Sequence, residues 1–255
     1  MANTVAVVTG ARQGIGRAIA LALAGKGFDI AALDLVEDEK VESLHEEIAR
    51  MGRRSFFTAL DIADIDAHGA ALDKVESALG PVDALINNAG IAVRPLTDIM
   101  EIGAEIFDRN LDVNLRGTFF LTQQVGNRML AHDTGNYRSI SFITSIAAGM
   151  TSTVRSPYCI SKCGLAMAAQ IFAQRLGEAG IAVHEIRPGF IRTDMSAQNP
   201  SAKIDAYMES GRVPFKRWGS PDDIGAVVAS LASGALPYVS GQPIHVDGGF
   251  HIPAS

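Results

Sequence analysis

A glycine-punctuated change from strand to helix around residue 10 restricts the fold of this chain more than any other feature. Thr4-Val-Ala-Val-Val-Thr9 is a short apolar, β-branched run, the pattern of a buried strand. Gly10, Gly14 and Gly16 follow, and residues 17–24 are rich in strong helix formers. Glycines let backbone come close to a phosphate, and the N-terminus of the next helix offers unpaired N–H groups and the positive end of its dipole. Strand, glycine turn and helix in this order are the setting in which such a motif holds a dinucleotide pyrophosphate. The spacing Thr-Gly-x-x-x-Gly-x-Gly departs from the common G-x-G-x-x-G, and alone it is equally an ordinary tight turn.

The remainder of the chain keeps the alternation. Strands are expected near 4–9, 28–34, 55–60, 82–87, 138–144, 181–187 and 243–247, with helices beginning near 14, 38, 64, 110, 157 and 221. Strands alternating with helices make a parallel sheet covered on both faces, whose ligands sit beyond the carboxyl ends of the strands where strand order reverses. With 255 residues, 47% of them apolar, and no internal repeat or linker, residues 1–255 fit one α/β domain of about seven strands.

The second strand, Phe28–Asp34, ends in a carboxylate eighteen residues after Gly16. An acid there is placed to accept from an adenosine ribose and to repel a 2′-phosphate; capping the next helix is its structural alternative. Gln13 brings no positive charge to the loop, whereas Arg12 has the reach to meet a 2′-phosphate. NAD is therefore favoured and NADP is not excluded.

Tyr158 and Lys162 are four residues apart on a predicted helix, with Ser145 thirteen residues earlier. Four residues is one turn, so the phenol and ammonium share a face. A nearby cation favours phenolate and lowers the phenol pKa from ~10, and a serine hydroxyl beside it can hold a substrate oxygen. The three make a device for moving a proton to or from an alcohol or carbonyl. Alone, the tyrosine–lysine pair arises often by chance on solvated helices.

The motifs Thr9-Gly10-x-x-x-Gly14-x-Gly16, Asn87-Asn88-Ala89-Gly90, Asn114, Ser145, Tyr158-x-x-x-Lys162 and Pro188-Gly189 occur in one order that resembles the short-chain dehydrogenase/reductase family, from about residue 4 to 250. The resemblance implies a Rossmann-type, doubly wound parallel sheet. It implies that Ser145 polarises the substrate oxygen, that Tyr158 is the acid/base, and that Lys162 binds the nicotinamide ribose and lowers the tyrosine pKa. Asn114 would support a water linking the lysine to solvent. The dinucleotide would be held by Gly10, Arg12, Gln13, Gly14, Ile15, Gly16, Asp34, the Asp61-Ile62 pair, Asn88, Ala89 and Gly90. Tyr158, Lys162, Pro188, Gly189, Ile191 and Thr193 would complete its nicotinamide end. Residues 195–218, polar and carrying Gly211 and Pro214, resemble the family's substrate lid.

Arg94 and Arg155 are candidates for binding an anionic substrate group, against the alternative of two solvated arginines. The chain further resembles the 3-oxoacyl-acyl-carrier-protein reductase branch, through its glycine loop, triad spacing and Val246-Asp247-Gly248-Gly249 ending. Two features depart from that branch: Asp34 with Gln13 points to NAD, and Gln174 stands where an arginine commonly docks the carrier protein, with Arg128 and Arg175 as replacements. An NAD-dependent sugar, polyol or hydroxy-acid dehydrogenase is the alternative on the same scaffold. A dinucleotide sensor without turnover is the reading from another class. The expected partners are a small alcohol or ketone, or an acyl thioester, and the resemblance implies a homotetramer.

A net charge of −6 gives no general attraction to nucleic acid. No apolar run reaches the ~18 residues of a membrane span, and no leader is expected before a strand at residue 4, so no membrane partner and a cytoplasmic setting are expected. Cys159 and Cys163 read as buried, reduced thiols, and no metal site is expected. His184 reads as a satisfied core residue and Arg187 as a structural one.

Overall fold

The computed structural model describes residues 4–193 and 201–253. Seven strands form one parallel sheet: β1 Thr4–Thr9, β2 Phe28–Asp34, β3 Ser55–Ala59, β4 Ala84–Asn87, β5 Arg138–Ile143, β6 Ile181–Pro188 and β7 Pro243–Val246, in the order β3-β2-β1-β4-β5-β6-β7. The chain winds outward from β1 to β3, crosses over, and continues from β4 on the other side of β1. β1 therefore pairs with both β2 and β4, and the crevice between their carboxyl ends is the switch point.

Alternating residues of β1 point to opposite faces of the sheet. Val5 and Val7 join a core with α3 (His68–Leu79), α5 (Thr118–Ala131) and α6 (Ser156–Leu176). Ala6 and Val8 join a second core with α1 (Gly14–Gly25), α2 (Glu39–Arg50) and a C-terminal helix, Pro221–Ala232. That last helix opens on a Ser220/Asp223 capping box with Pro221 in its first turn. It packs so tightly on α1 that a Cβ on Gly225 would lie 2.8 Å from the Ala18 carbonyl.

The helix expected near residue 110 begins earlier. α4 (Ala104–Leu111) runs into α5 through a π-helical turn at Asp112–Gly117. A Cβ on Gly117 would stand 2.1 Å from the Ile62 carbonyl, so only glycine lets the helix pass this close to the β3–α3 turn. The expected lid is more ordered than a loop: α7, Ser201–Glu209, lies within it and precedes α8, Pro221–Ala232. Residues 195–200 of the lid lie outside the described residues.

Two smaller expectations need correction. Cys163 is exposed and Cys159 only half-buried, because each lies one residue past an inward-facing Tyr158 or Lys162 and is turned ~100° outward by the helix. His184 is buried, but neither ring nitrogen has a hydrogen-bond partner among the described residues. Burial lowers its pKa to about 4, so the ring is a neutral core group. Arg187 is structural as expected, pairing with buried Glu185 at 2.6 Å. No helix among the described residues is long and apolar enough to cross a membrane.

Candidate active site

The glycine turn is shaped from both sides. Gly10 and Gly14 have φ of +64° and +58°, a region that costs residues with a Cβ but not glycine. A Cβ on Gly16 would lie 2.0 Å from the Gly10 carbonyl oxygen and 2.5 Å from Asn88 Nδ2. Asn88 Nδ2 donates to the carbonyls of Thr9 and Gly10 at 2.9 and 3.1 Å, while the Asn88 and Ala89 amides donate to Thr9 Oγ1. The ends of β1 and β4 are thus laced together by Thr9, whose role sequence reasoning missed although it directly precedes the first glycine.

This cradle fits a dinucleotide. Gln13 makes no side-chain cap to α1, and the first turn carries no acidic residue, so its N–H groups face an anion without competition from a cap. A Cβ on Gly14 would stand 3.7 Å from Thr193 Cγ2, which brings the segment after β6 over the same opening. Pro188 ends β6, Gly189 donates to the Val246 carbonyl at 3.0 Å, and Ile191 bridges to Gly219.

Asp34 sits at the rim, with Oδ2 accepting from the Arg12 amide at 3.0 Å and Oδ1 from the Leu35 amide at 2.8 Å. The Arg12 guanidinium turns to Asp38, giving bonds of 2.8 and 2.6 Å to one oxygen. Lys40, a cation not singled out from sequence, donates to Gln13 Oε1 at 2.6 Å. Asp61 accepts from the Ala63 amide and pairs with Arg109 at 3.2 Å, whereas the Ile62 side chain is buried in the core.

Ser145 follows β5, and its Oγ accepts from the Ala147 amide at 3.1 Å, capping a single turn of 3₁₀ helix. Tyr158 and Lys162 face inward from the first turns of α6. The Tyr158 phenol faces Ser145, whose hydroxyl is close enough to favour the phenolate. Lys162 is 4% exposed, its Nζ donates to the Ile143 carbonyl at 2.9 Å, and it lies 5.8 Å from the centroid of the Tyr158 ring.

The electrostatics differ from the sequence expectation. Burial raises the Tyr158 pKa above its ordinary value, against the lowering effects of the Ser145 hydrogen bond and the Arg155 charge. Lys162 does not bring the phenol down here, because its ammonium is turned to a strand carbonyl and burial lowers its own pKa to about 8. Arg155, half-buried just ahead of α6, is the cation acting on the phenol.

Asn114 is fully buried in the π-helical turn. Its Oδ1 accepts from the Ile91 amide at 2.7 Å, and its Nδ2 donates to the Ile91 carbonyl at 3.0 Å and to Ser161 Oγ at 3.2 Å. Ser161 in turn donates to the Tyr158 carbonyl at 2.8 Å. Asn114 thereby ties the loop after β4 to the helix carrying the tyrosine. Ser161 was missed from sequence, though it lies one turn after Tyr158. A Cβ on Gly90 would stand 3.1 Å from Asn114 Oδ1 and 3.5 Å from Lys162 Nζ, so Gly90 keeps the approach to the lysine open.

Beyond the Ser145 turn the cleft is built from less regular segments. Phe190, Tyr207 and Phe250 pack ring on ring, with centroids 4.8 Å apart for Phe190–Phe250 and 5.8 Å for Tyr207–Phe250. Trp218 donates to Asp205 at 2.8 Å and anchors the segment between α7 and α8. A cavity of about 330 Å³ lies beside the Ser145 turn, lined by Ile146, Met150, Arg187, Arg212, His245 and His251 among others. Arg94 is exposed on the loop after β4.

Residues 10–251 match the family model described as Enoyl-(Acyl carrier protein) reductase. The chain is 36% identical over 250 residues to a 3-oxoacyl-[acyl-carrier-protein] reductase of Staphylococcus epidermidis, covering 98% of this chain and 100% of the relative. It is 33% identical over 247 residues to a 2-dehydro-3-deoxy-D-gluconate 5-dehydrogenase of Escherichia coli, covering 96% of this chain and 94% of that one. The crystal structure of a 3-oxoacyl-[acyl-carrier protein] reductase from Brucella melitensis in complex with NAD superposes with a TM-score of 0.95 at 46% identity, covering 99% of both chains.

Proposed function

This chain belongs to the short-chain dehydrogenase/reductase family, and on that premise we propose that it interconverts a 3-oxoacyl thioester and its 3-hydroxyacyl counterpart with NAD rather than NADP. It is an oxidoreductase acting on a keto or hydroxyl group with a nicotinamide cofactor. The observation that carries the mechanism is the inward-facing Tyr158 phenol beside Ser145, with a buried Lys162 one turn on.

The bound nicotinamide supplies the hydride in reduction and accepts it in oxidation. Gly10, Gly14 and Gly16 hold the pyrophosphate, with Arg12, Gln13 and Ile15 completing the loop. Asp34 takes the adenosine ribose, while Asp61, Ile62, Asn88, Ala89 and Gly90 flank the adenosine. Pro188, Gly189, Ile191 and Thr193 hold the nicotinamide end. Ser145 donates to the substrate carbonyl oxygen and sets its place. Tyr158 gives that oxygen its proton in reduction and takes the hydroxyl proton in oxidation, the two directions being reversals of one transfer. Arg155 is the cation that favours the phenolate so formed, Lys162 would hold the nicotinamide ribose, and Asn114 supports a water connecting the lysine to solvent.

Preference for NAD follows from charge. A 2′-phosphate placed at Asp34 meets a carboxylate, and the Arg12 guanidinium that would offset it is bonded to Asp38. The thioester reading is supported by the similarity to 3-oxoacyl reductases over nearly the whole chain. A second reading, a small anionic sugar acid, is favoured by Arg212 in the cavity beside the Ser145 turn and by the sugar-acid dehydrogenase relative. Arg128 does not serve as a carrier-protein anchor in this proposal, since Asp73 and Glu76 both bind it at 2.6 Å; Arg175 is exposed on α6. Ile160, Met167 and Ile171 are about half exposed along one stripe of α6, which supports a homotetramer assembled through that helix. A cytoplasmic site of action belongs to the same reading.

The test is a panel of 3-oxoacyl thioesters, sugar acids, polyols and hydroxy acids, each run with NAD(H) and NADP(H). Tyr158→Phe is expected to lose more than 99% of turnover while still binding NADH, since general acid–base catalysis contributes about 10²–10⁴-fold. Turnover within tenfold of the parent in that variant removes Tyr158 as the acid/base. A sugar acid turned over far faster than any thioester selects the second reading.

A further inference from the structure

We propose that His245, Asp247 and His251 form a binding site for a divalent transition-metal cation of the Zn²⁺, Co²⁺ or Ni²⁺ class, separate from the proton-transfer residues. One ligand atom from each of the three lies within 4.8 Å of the others. His245 is in β7, Asp247 follows that strand, and His251 returns to it through a tight turn. Gly248 and Gly249, with φ of +65° and +87°, make that return possible. The turn is a fixed scaffold: Asp247 is buried, and its carboxylate accepts from the Gly249 and His251 amides at 2.9 Å each.

The donor set selects the ion. Two imidazoles and one carboxylate suit zinc and its neighbours in the first transition row, whereas Mg²⁺ and Ca²⁺ require sets dominated by oxygen. His251 Nδ1 lies 2.8 Å from Asp247 Oδ2 and His245 Nδ1 lies 3.6 Å from the same oxygen. Donor atoms around a tetrahedral ion with bonds of about 2.0–2.1 Å are themselves roughly 3.3–3.5 Å apart. The present spread closes to that value with a side-chain shift of about an ångström, in which the exposed His251 exchanges its hydrogen bond to Asp247 for the ion. The two rings now stack with centroids 3.9 Å apart, and His245 Nδ1 is buried without a hydrogen-bond partner among the described residues.

The wider surroundings permit a cation. Arg187 is near His245, but Glu185 pairs with it at 2.6 Å and offsets its charge. His245 and His251 both line the cavity beside the Ser145 turn, which leaves room for water to complete the coordination. An ion here joins β7 to the turn holding Phe250, and Phe250 packs on Phe190 and Tyr207. Its effect is to pin the aromatic floor beneath the segment after β6, so its first signature is stability.

Metal-free protein titrated with Co²⁺ is expected to develop visible d–d bands that saturate at one ion per chain, with a dissociation constant in the micromolar range. Zn²⁺ is expected to displace the bands, and saturating Zn²⁺ to raise Tm by several degrees. His251→Ala and His245→Gln are each expected to weaken Co²⁺ binding about a hundredfold or more, with far-UV circular dichroism unchanged. No saturable binding up to millimolar Co²⁺, or undiminished binding in both variants, overturns the site. Binding of Mg²⁺ as tight as that of Co²⁺ also overturns it, by showing a carboxylate contact without the imidazoles. Should one variant fail to fold, the other, together with stoichiometry and Zn²⁺ competition on the parent, decides the question.

Discussion

Replacing Lys162 by methionine should make this protein more stable as it makes it inactive. The side chain is 4% exposed, its Nζ donates to the Ile143 carbonyl at 2.9 Å, and burial lowers its pKa from 10.5 to about 8. That displacement corresponds to a penalty of about 3 kcal/mol on the ammonium at neutral pH. Methionine has a similar length and no charge to desolvate, but leaves the Ile143 carbonyl without its donor, a loss of about 1–2 kcal/mol. The balance is a gain of roughly 1–2 kcal/mol, or about 2–8 °C in Tm for a domain of this size. The comparison is made by urea or thermal unfolding of cofactor-free parent and variant, since bound dinucleotide would stabilise the parent selectively. The pH dependence provides a second reading. Between pH 8 and 10.5 the unfolded parent binds more protons at Lys162 than the folded parent, so parent stability rises across that window. The parent recovers about 3 kcal/mol across it, more than the variant's net gain, so the advantage is full below pH 8, gone about 1–1.5 pH units above that, and reversed by about 10.5. A variant less stable than the parent at pH 7, or an advantage that does not shrink with rising pH, refutes the argument from burial.

Other substitutions probe the remaining parts of the site. Gly16→Ala places a Cβ 2.0 Å from the Gly10 carbonyl; the backbone must shift, and dinucleotide affinity measured by NADH fluorescence should fall at least about a hundredfold, with about 2–4 kcal/mol of stability lost. Arg155→Gln removes a charge that favours phenolate at Tyr158, so the pH at which alcohol oxidation reaches half its maximum should move upward; an unmoved profile shows that Arg155 acts elsewhere. Asp34→Ser removes the carboxylate that a 2′-phosphate would meet, and the ratio of kcat/KM for NADPH over NADH should rise by about tenfold or more, equivalent to about 1.4 kcal/mol.

What could be read from sequence, and what could not, divides along a physical line. The strands showed because buried parallel strands are apolar runs, and each expected strand lies within two residues of its observed ends. Ser145, Tyr158 and Lys162 are brought together because a helical turn and a strand end have fixed geometry. The π-helical turn around Asn114 was hidden, since its cause is a long-range approach of Gly117 to the Ile62 carbonyl. So was α7, a short helix whose Tyr207 and Met208 pack only on a small satellite core. The direction of the Tyr158 shift was misread because helical spacing brings an ammonium near a phenol but cannot say that it is bonded to the Ile143 carbonyl, nor how far both groups are desolvated.

The same line separates the reaction from its substrate. The groups proposed for proton transfer are held by elements whose positions are fixed by the main core: Ser145 lies two residues past the end of β5, α6 carries Tyr158 and Lys162, and Asn114 fastens that helix to the loop after β4. Moving any of them requires moving the sheet. Phe190, Tyr207, Trp218 and Phe250, by contrast, come from the stretch after β6 and the turn after β7, and they pack mainly on one another. Their side chains can change without disturbing the sheet or the triad. Chains on this scaffold can thus keep one set of proposed proton-transfer groups while differing in substrate, as the names of the 3-oxoacyl-[acyl-carrier-protein] reductase and 2-dehydro-3-deoxy-D-gluconate 5-dehydrogenase relatives differ. Exchanging residues 204–218 of this chain for the matching segment of the gluconate relative should therefore redirect KM among substrates while leaving NADH affinity within about threefold. A loss of NADH binding in that chimera would show that the two ends are mechanically one.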